Sequence, residues 1–241
     1  VTARDDVSGA ARRQRLTTWW SVVAVAVLVA VIAGLIAAGG EVPGWEKAVF
    51  HAVNDLPDWL KGPMWVFQLA GLLLTPLLVA AVAALFRRWR LAAALVVFVP
   101  LKLLVEKGFV KQLVERRRPG TTICGAPDAF DATCGHFRNV PLEGLSFVSG
   151  HAIIAWGVAT LLWPVLPGRW RWAPVAVAVL NAVARVYLGA HNPLDVVGGA
   201  AIGVALGGLL VLAFDPARPP GVQYNVSDGP GPGAASGGEA D

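Results

Sequence analysis

Six apolar runs divide this chain of 241 residues, at positions 19–40, 63–86, 91–115, 147–166, 172–190 and 194–214. Each is close to the ~20 residues that carry an α-helix across a bilayer. The blocks constrain the fold more than any average does. Composition agrees with them, since 56% of residues are hydrophobic and 15% are charged, against roughly 25% charged in a soluble domain. The expected fold class is all-α, an integral membrane six-transmembrane-helix bundle. The formal net charge of +4 reads as loop Lys and Arg that orient a membrane protein. The chain has no basic face interleaved with aromatics, so nucleic acid is not an expected partner.

Three domains follow in chain order. Residues 1–18 are polar, carry Arg4, Arg12, Arg13 and Arg15, and are expected to be a disordered cytoplasmic arm. Residues 19–214 hold the six spans, and 215–241 form a Pro-, Gly- and Ser-rich tail expected to be disordered. The first run exceeds a signal core of about 7–15 residues, so it reads as a retained anchor. Trp19 and Trp20 suit the interfacial aromatic belt. Residues 41–62 are mixed and suit a short amphipathic segment on the membrane surface. Lys102 and Glu106, four residues apart inside the third run, share a helix face and can pair. Gly199, Gly203 and Gly207 make a small-residue stripe for close helix packing.

Three polar clusters interrupt the apolar pattern. Lys111 precedes Arg118-Pro119, Ser149-Gly150-His151 opens the fourth run, and Arg185, His191 and Asp195 bracket the fifth turn. Six spans leave both termini on one side. The arm and the Arg-rich stretches at 87–90 and 169–171 place that side in the cytoplasm. Span counting then brings all three clusters to the opposite face. The 116–146 loop on that face also carries Arg116, Arg117, Arg118 and Arg138, and these cations are assigned to the site. Cys124 and Cys134, the only cysteines, fall in this loop, where oxidation predicts a disulfide.

The clusters supply cations, a hydroxyl, two imidazoles and a carboxylate, an inventory suited to holding and attacking a phosphate. Ser149-Gly150-His151 sits near a helix N-terminus, where free N–H groups favour an anion. Lys111 and Arg118 add positive charge, and an arginine can grip phosphate oxygens in pairs. Asp195 lies one helical turn past His191, so a direct His–Asp hydrogen bond is expected. His51 and His136 have no partner readable in the sequence. Metal binding is disfavoured because the surrounding Lys and Arg would repel a cation.

In these clusters the sequence resembles the type 2 phosphatidic acid phosphatase superfamily of membrane lipid phosphatases. Lys111, Arg118 and Pro119 match its Lys-x6-Arg-Pro element. Ser149, Gly150 and His151 match Pro-Ser-Gly-His, with Val148 in place of the proline. Arg185, His191 and Asp195 match Ser-Arg-x5-His-x3-Asp, with Ala184 in place of the serine. The resemblance implies a metal-independent phosphatase without cofactor. In it His191 attacks phosphorus, Asp195 orients it, and His151 protonates the leaving oxygen. Lys111, Arg118, Ser149, Gly150 and Arg185 then hold the phosphoryl oxygens. It also implies a lipid phosphate as partner within the bilayer, and an outward site suits a polyprenyl diphosphate such as undecaprenyl diphosphate. The Ala-, Val-, Gly- and Arg-heavy composition points to a bacterial plasma membrane.

Three other classes compete with hydrolysis. They are a phosphotransferase using the same pocket, a vanadate-binding haloperoxidase, and a non-catalytic scaffold. Six apolar runs argue against the soluble haloperoxidases, and a scaffold does not require two histidines, an aspartate and four cations at one face. Oligomeric state is not readable.

Overall fold

The computed structural model describes residues 3–125 and 134–218. Ten α-helices are described: α1 (Ala3–Ala37), α2 (Gly44–Asn54), α3 (Lys61–Leu69), α4 (Leu74–Leu85), α5 (Trp89–Leu103), α6 (Lys111–Val114), α7 (Pro119–Thr122), α8 (Gly150–Leu162), α9 (Trp172–Tyr187) and α10 (Pro193–Phe214). A π-helical stretch, Leu104–Val110, joins α5 to α6. Among the described residues the only β-pairing is an isolated bridge between Arg117 and Leu145. All-α is therefore the observed class.

Helices occupy each of the six apolar runs, but not as six uniform spans. By length and apolarity two qualify, Arg12–Ala37 of α1 and Pro193–Phe214, and the pair α3/α4 makes a third if its 57° bend lies within one span. The physical reasons differ by run. The third is interrupted by Lys102, Glu106, Lys107 and Lys111, and α8 is only 13 residues long. The second breaks at Ala70–Leu73, where Gly71 backs onto His151. A Cβ on Gly71 would come within 2.5 Å of the His151 Cβ.

The N-terminal arm also departs from expectation, because α1 begins at Ala3. Once an apolar helix is nucleated, extending it costs little, and residues 3–18 contain no proline to stop it. Arg15, on this extension, pairs with Asp215 just past α10. The tail beyond residue 218 lies outside the described residues.

Packing centres on α10, which lies between α1 and α8. The glycine stripe makes this possible. A Cβ on Gly199, Gly203 or Gly207 would meet Ser149 O at 2.6 Å, Ile153 O at 2.5 Å or the Thr160 Cβ at 2.8 Å. So α8 and α10 touch backbone to backbone. The buried core combines Leu95 and Phe98 of α5 with Ile153, Ile154 and Leu161 of α8 and Leu206 and Leu210 of α10.

The outer surface is apolar, as in a protein that meets lipid. Val25, Leu28, Leu35, Leu78, Leu85 and Leu104 are all exposed. At one end, Arg90 of α5 reaches Phe214 O of α10, and Trp163 stacks edge-on with Trp172. Exposed Trp89, Trp170 and Trp172 share that end with the arginines of the short loops, as an interfacial belt does.

Candidate active site

The turn between α9 and α10 sets the geometry of the site. Asn192 is the N-cap of α10 and Pro193 its first residue, a combination that starts helices well. Asp195, at the third helical position, folds back to accept the Asn192 N–H at 2.7 Å, completing a capping box. The carboxylate is thereby fixed beside His191. Both side chains are buried, with Asp195 at 0% and His191 at 3% exposure.

The direct His191–Asp195 hydrogen bond expected from spacing is not formed. His191 Nδ1 and Asp195 Oδ2 are 3.7 Å apart, beyond hydrogen-bond range. Ser146 fills the gap. Its Oγ lies 3.3 Å from His191 Nδ1 and donates to Asp195 Oδ2. Ser146 is itself held by its N–H on Arg116 O at 2.7 Å.

Behind Asp195 lies a buried ion cluster. Arg116 donates to Asp195 Oδ1 at 3.3 Å and to both oxygens of Glu46 at 3.0 and 2.5 Å. Glu46 also accepts the Leu194 N–H at 2.8 Å. Glu46 comes from α2, a helix within the mixed stretch 41–62. Glu46, Phe50 and Asn54, each one turn apart, form its buried stripe.

The second cluster opens α8. Ser149 is the N-cap, its Oγ accepting from Ala152 N–H at 3.5 Å. Its own N–H donates to Asp195 O at 2.9 Å, which ties α8 to α10. Gly150 lies against Glu106, and a Cβ there would come within 2.6 Å of Glu106 Oε1. His151 follows and interacts electrostatically with Arg185, His191, Lys102 and Glu106.

The predicted phosphate-holding cations converge on His191. The Lys102–Glu106 pair forms at 2.5 Å, and Lys111 joins the same carboxylate at 2.7 Å. Arg118 donates to Ala190 O at 3.0 Å, and Arg185 donates to Gln68 Oε1 at 2.5 Å. The Nε groups of Arg118 and Arg185 are buried without a protein acceptor. Such donors are costly unless an anion meets them. Burial holds the His191 imidazole well below its usual range, and Arg185, Arg118 and Lys111 push the same way. The ring is therefore neutral at pH 7, with a free lone pair.

Other assignments change. Arg138, counted with the site cations, instead clamps the turn after α9. It bonds Asp58, Asn54 O, Leu56 O and Tyr187 O and stacks on the Tyr187 ring. His51 and His136 are not partnerless, since Asp55 lies 3.4 and 4.0 Å from them. Cys124 and Cys134 are joined in a disulfide, their Cα atoms 5.4 Å apart. Among the described residues, no three His, Cys, Asp or Glu side chains converge as metal ligands.

The profile of the PAP2 superfamily matches residues 68–219, nearly the whole of this constellation. The chain belongs to the PAP2 superfamily. Two solved structures share the PAP2 fold with it. A transmembrane PAP2-type phosphatidylglycerolphosphate phosphatase from Bacillus subtilis is 24% identical, with a TM-score of 0.57, over 78% of this chain and 94% of that one. Aquifex aeolicus LpxE is 21% identical, with a TM-score of 0.52, over 68% of this chain and 93% of that one. No curated protein matches the chain. PAP2 membership covers Lys111 through Asp195 but not Glu46, which precedes the matched region.

Proposed function

We propose that this PAP2 protein is a membrane lipid phosphatase acting through a phosphohistidine. The observation that carries the reading is His191, a buried neutral imidazole close to Lys111, Arg118 and Arg185. In the first step the His191 lone pair attacks phosphorus, the bond to the leaving oxygen breaks, and His151 gives that oxygen a proton. In the second, His151 takes a proton from water, hydroxide attacks phosphorus, and the P–N bond breaks to release phosphate. Lys111, Arg118, Arg185 and the amides near Ser149 and Gly150 stabilise the charge that develops on the phosphoryl oxygens. The reading needs no metal, because these cations supply the charge a metal would.

The substrate is an amphiphile with a phosphate or diphosphate monoester head, and a polyprenyl diphosphate suits an extracytoplasmic site. The proposed orientation follows the sequence reading of six crossings, which puts the loops at 87–90 and 169–171 on the cytoplasmic side of a bacterial plasma membrane. Purified protein in detergent with EDTA is expected to release phosphate from lipid monophosphates, diphosphates or both, and to carry acid-labile label on His191. Label on another residue, or activity lost to EDTA and restored by a metal, would overturn the reading. Transfer to an added lipid or sugar acceptor in preference to water would reassign the protein as a phosphotransferase.

A further inference from the structure

Ser146 belongs to none of the three motif elements, yet it occupies the space between the nucleophile and its carboxylate. It is 0% exposed. A serine hydroxyl has one donor and two acceptor sites. Here the donor is committed to Asp195 Oδ2, so toward His191 the oxygen can only accept. The group facing it, Nδ1 at 3.3 Å, must then carry the ring proton. That leaves Nε2 as the lone-pair nitrogen.

We propose that Ser146 is the positioning residue through which Asp195 fixes the tautomer of His191 and steadies the ring as it becomes cationic. The proposal rests on the phosphohistidine reading. The hydroxyl is anchored from both sides. Asp195 Oδ2 takes the Asn192 N–H as well, its Oδ1 takes Arg116, and the Ser146 backbone is held by Arg116 O. The carboxylate is thus occupied by groups that leave it no freedom to swing onto the imidazole. When His191 forms its bond to phosphorus, positive charge appears on the ring. The dipole of the serine O–H, turned toward Asp195, presents its negative end to Nδ1–H and passes the carboxylate's influence on.

The test compares Ser146→Ala and Ser146→Thr with the unaltered protein, reading phosphoenzyme formation in rapid quench, KM, and inhibition by inorganic phosphate. Ser146→Ala is expected to slow phosphorylation of His191 roughly 10- to 100-fold, the scale of one hydrogen bond to a charged group. KM and phosphate inhibition should stay within about 3-fold of the unaltered protein, because Lys111, Arg118 and Arg185 are untouched. Ser146→Thr, which keeps the hydroxyl, is expected to recover most of the rate. Full-rate phosphorylation in Ser146→Ala overturns the proposal, as does equal loss in both variants. Nitrogen-15 NMR of the unaltered protein covers the case in which Ser146→Ala fails to fold, since a His191 proton on Nε2 also overturns it. Absence of label on His191 in the unaltered protein overturns the phosphohistidine reading and this proposal together. Normal labelling with no effect of Ser146→Ala overturns this proposal alone.

Discussion

Glu46 and Arg116 meet through two hydrogen bonds of 3.0 and 2.5 Å, with neither side chain exposed. Removing Arg116 leaves two buried carboxylates, Glu46 and Asp195, without their cation, at a cost of about 3–5 kcal/mol, whereas removing Glu46 leaves Arg116 still paired with Asp195. Arg116→Gln is therefore expected to lower thermal stability in detergent by about that amount, and Glu46→Gln by less. The double variant should lose less than the sum of the two single losses, because the charges are removed together. Additive losses in a thermal-unfolding double-mutant cycle would show that the pair is not coupled.

Arg185 is held by Gln68, whose backbone carbonyl in turn accepts from Asn181 at 3.2 Å. Lysine has the charge of Arg185 but not its planar fork. Arg185→Lys is expected to lower kcat/KM on a lipid phosphate by roughly 10- to 100-fold, as the loss of a charge-assisted hydrogen bond does. Gln68→Ala should raise KM severalfold with a smaller change in kcat. Steady-state kinetics on a mixed-micelle substrate decide both, and unchanged KM in Gln68→Ala would remove Gln68 from the site.

The contact between α8 and α10 offers a test of packing. Gly203→Ala would drive a methyl group into Ile153 O at 2.5 Å, and that backbone cannot move without shifting Ser149 relative to Asp195. The expected loss is on the order of 1–3 kcal/mol of stability, together with reduced turnover. Gly62→Ala, whose Cβ meets nothing within 4 Å, is the control and should lower neither. Melting temperature and phosphate release on both variants report the difference.

His191 predicts a pH dependence of stability. Its folded-state pKa lies well below the unfolded value of 6.5, from burial first and then from Arg185, Arg118 and Lys111. Between those two values the unfolded chain binds a proton that the native ring does not. Native stability therefore falls as pH drops below 6.5, by up to about 1.4 kcal/mol per pH unit from this group. Thermal unfolding from pH 7.5 to 5 is expected to show a shallower decline in His191→Asn. Equal slopes would mean that the ring titrates normally in the fold.

The three motif clusters were legible because each places polar residues inside runs that have no other use for them. Asn192-Pro193 with Asp195 two residues on also carries a helix-start signature, and it fixes the carboxylate. Ser146, Glu46 and Gln68 were not legible. Each is a single polar residue whose partner lies far along the chain, 70 positions away for Glu46 and Arg116 and 117 for Gln68 and Arg185. No periodicity records such pairings. Spacing also placed His191 and Asp195 one turn apart correctly, but it could not reveal that a third side chain stands between them. The break near residue 70 did leave a trace. Gly71 followed by Thr75-Pro76 is a stop and a restart, since proline sits well in a helix's first turn and disfavours helix before it. Uniform apolarity from Leu69 to Leu78 masked it.

The position of Glu46 bears on what counts as the smallest unit that can be moved between relatives. The stretch that matches the superfamily begins at residue 68, whereas the outermost member of the charged cluster behind His191 belongs to α2. With Glu46 present, that cluster holds two carboxylates against one guanidinium and reaches neutrality only when the His191 ring turns cationic. A graft of residues 68–219 into another scaffold would carry every motif residue and still leave Arg116 and Asp195 as a neutral couple. The segment that carries α2 is thus part of the charge balance around Asp195 and His191, and exchanging it for a foreign one would alter that balance without touching a motif.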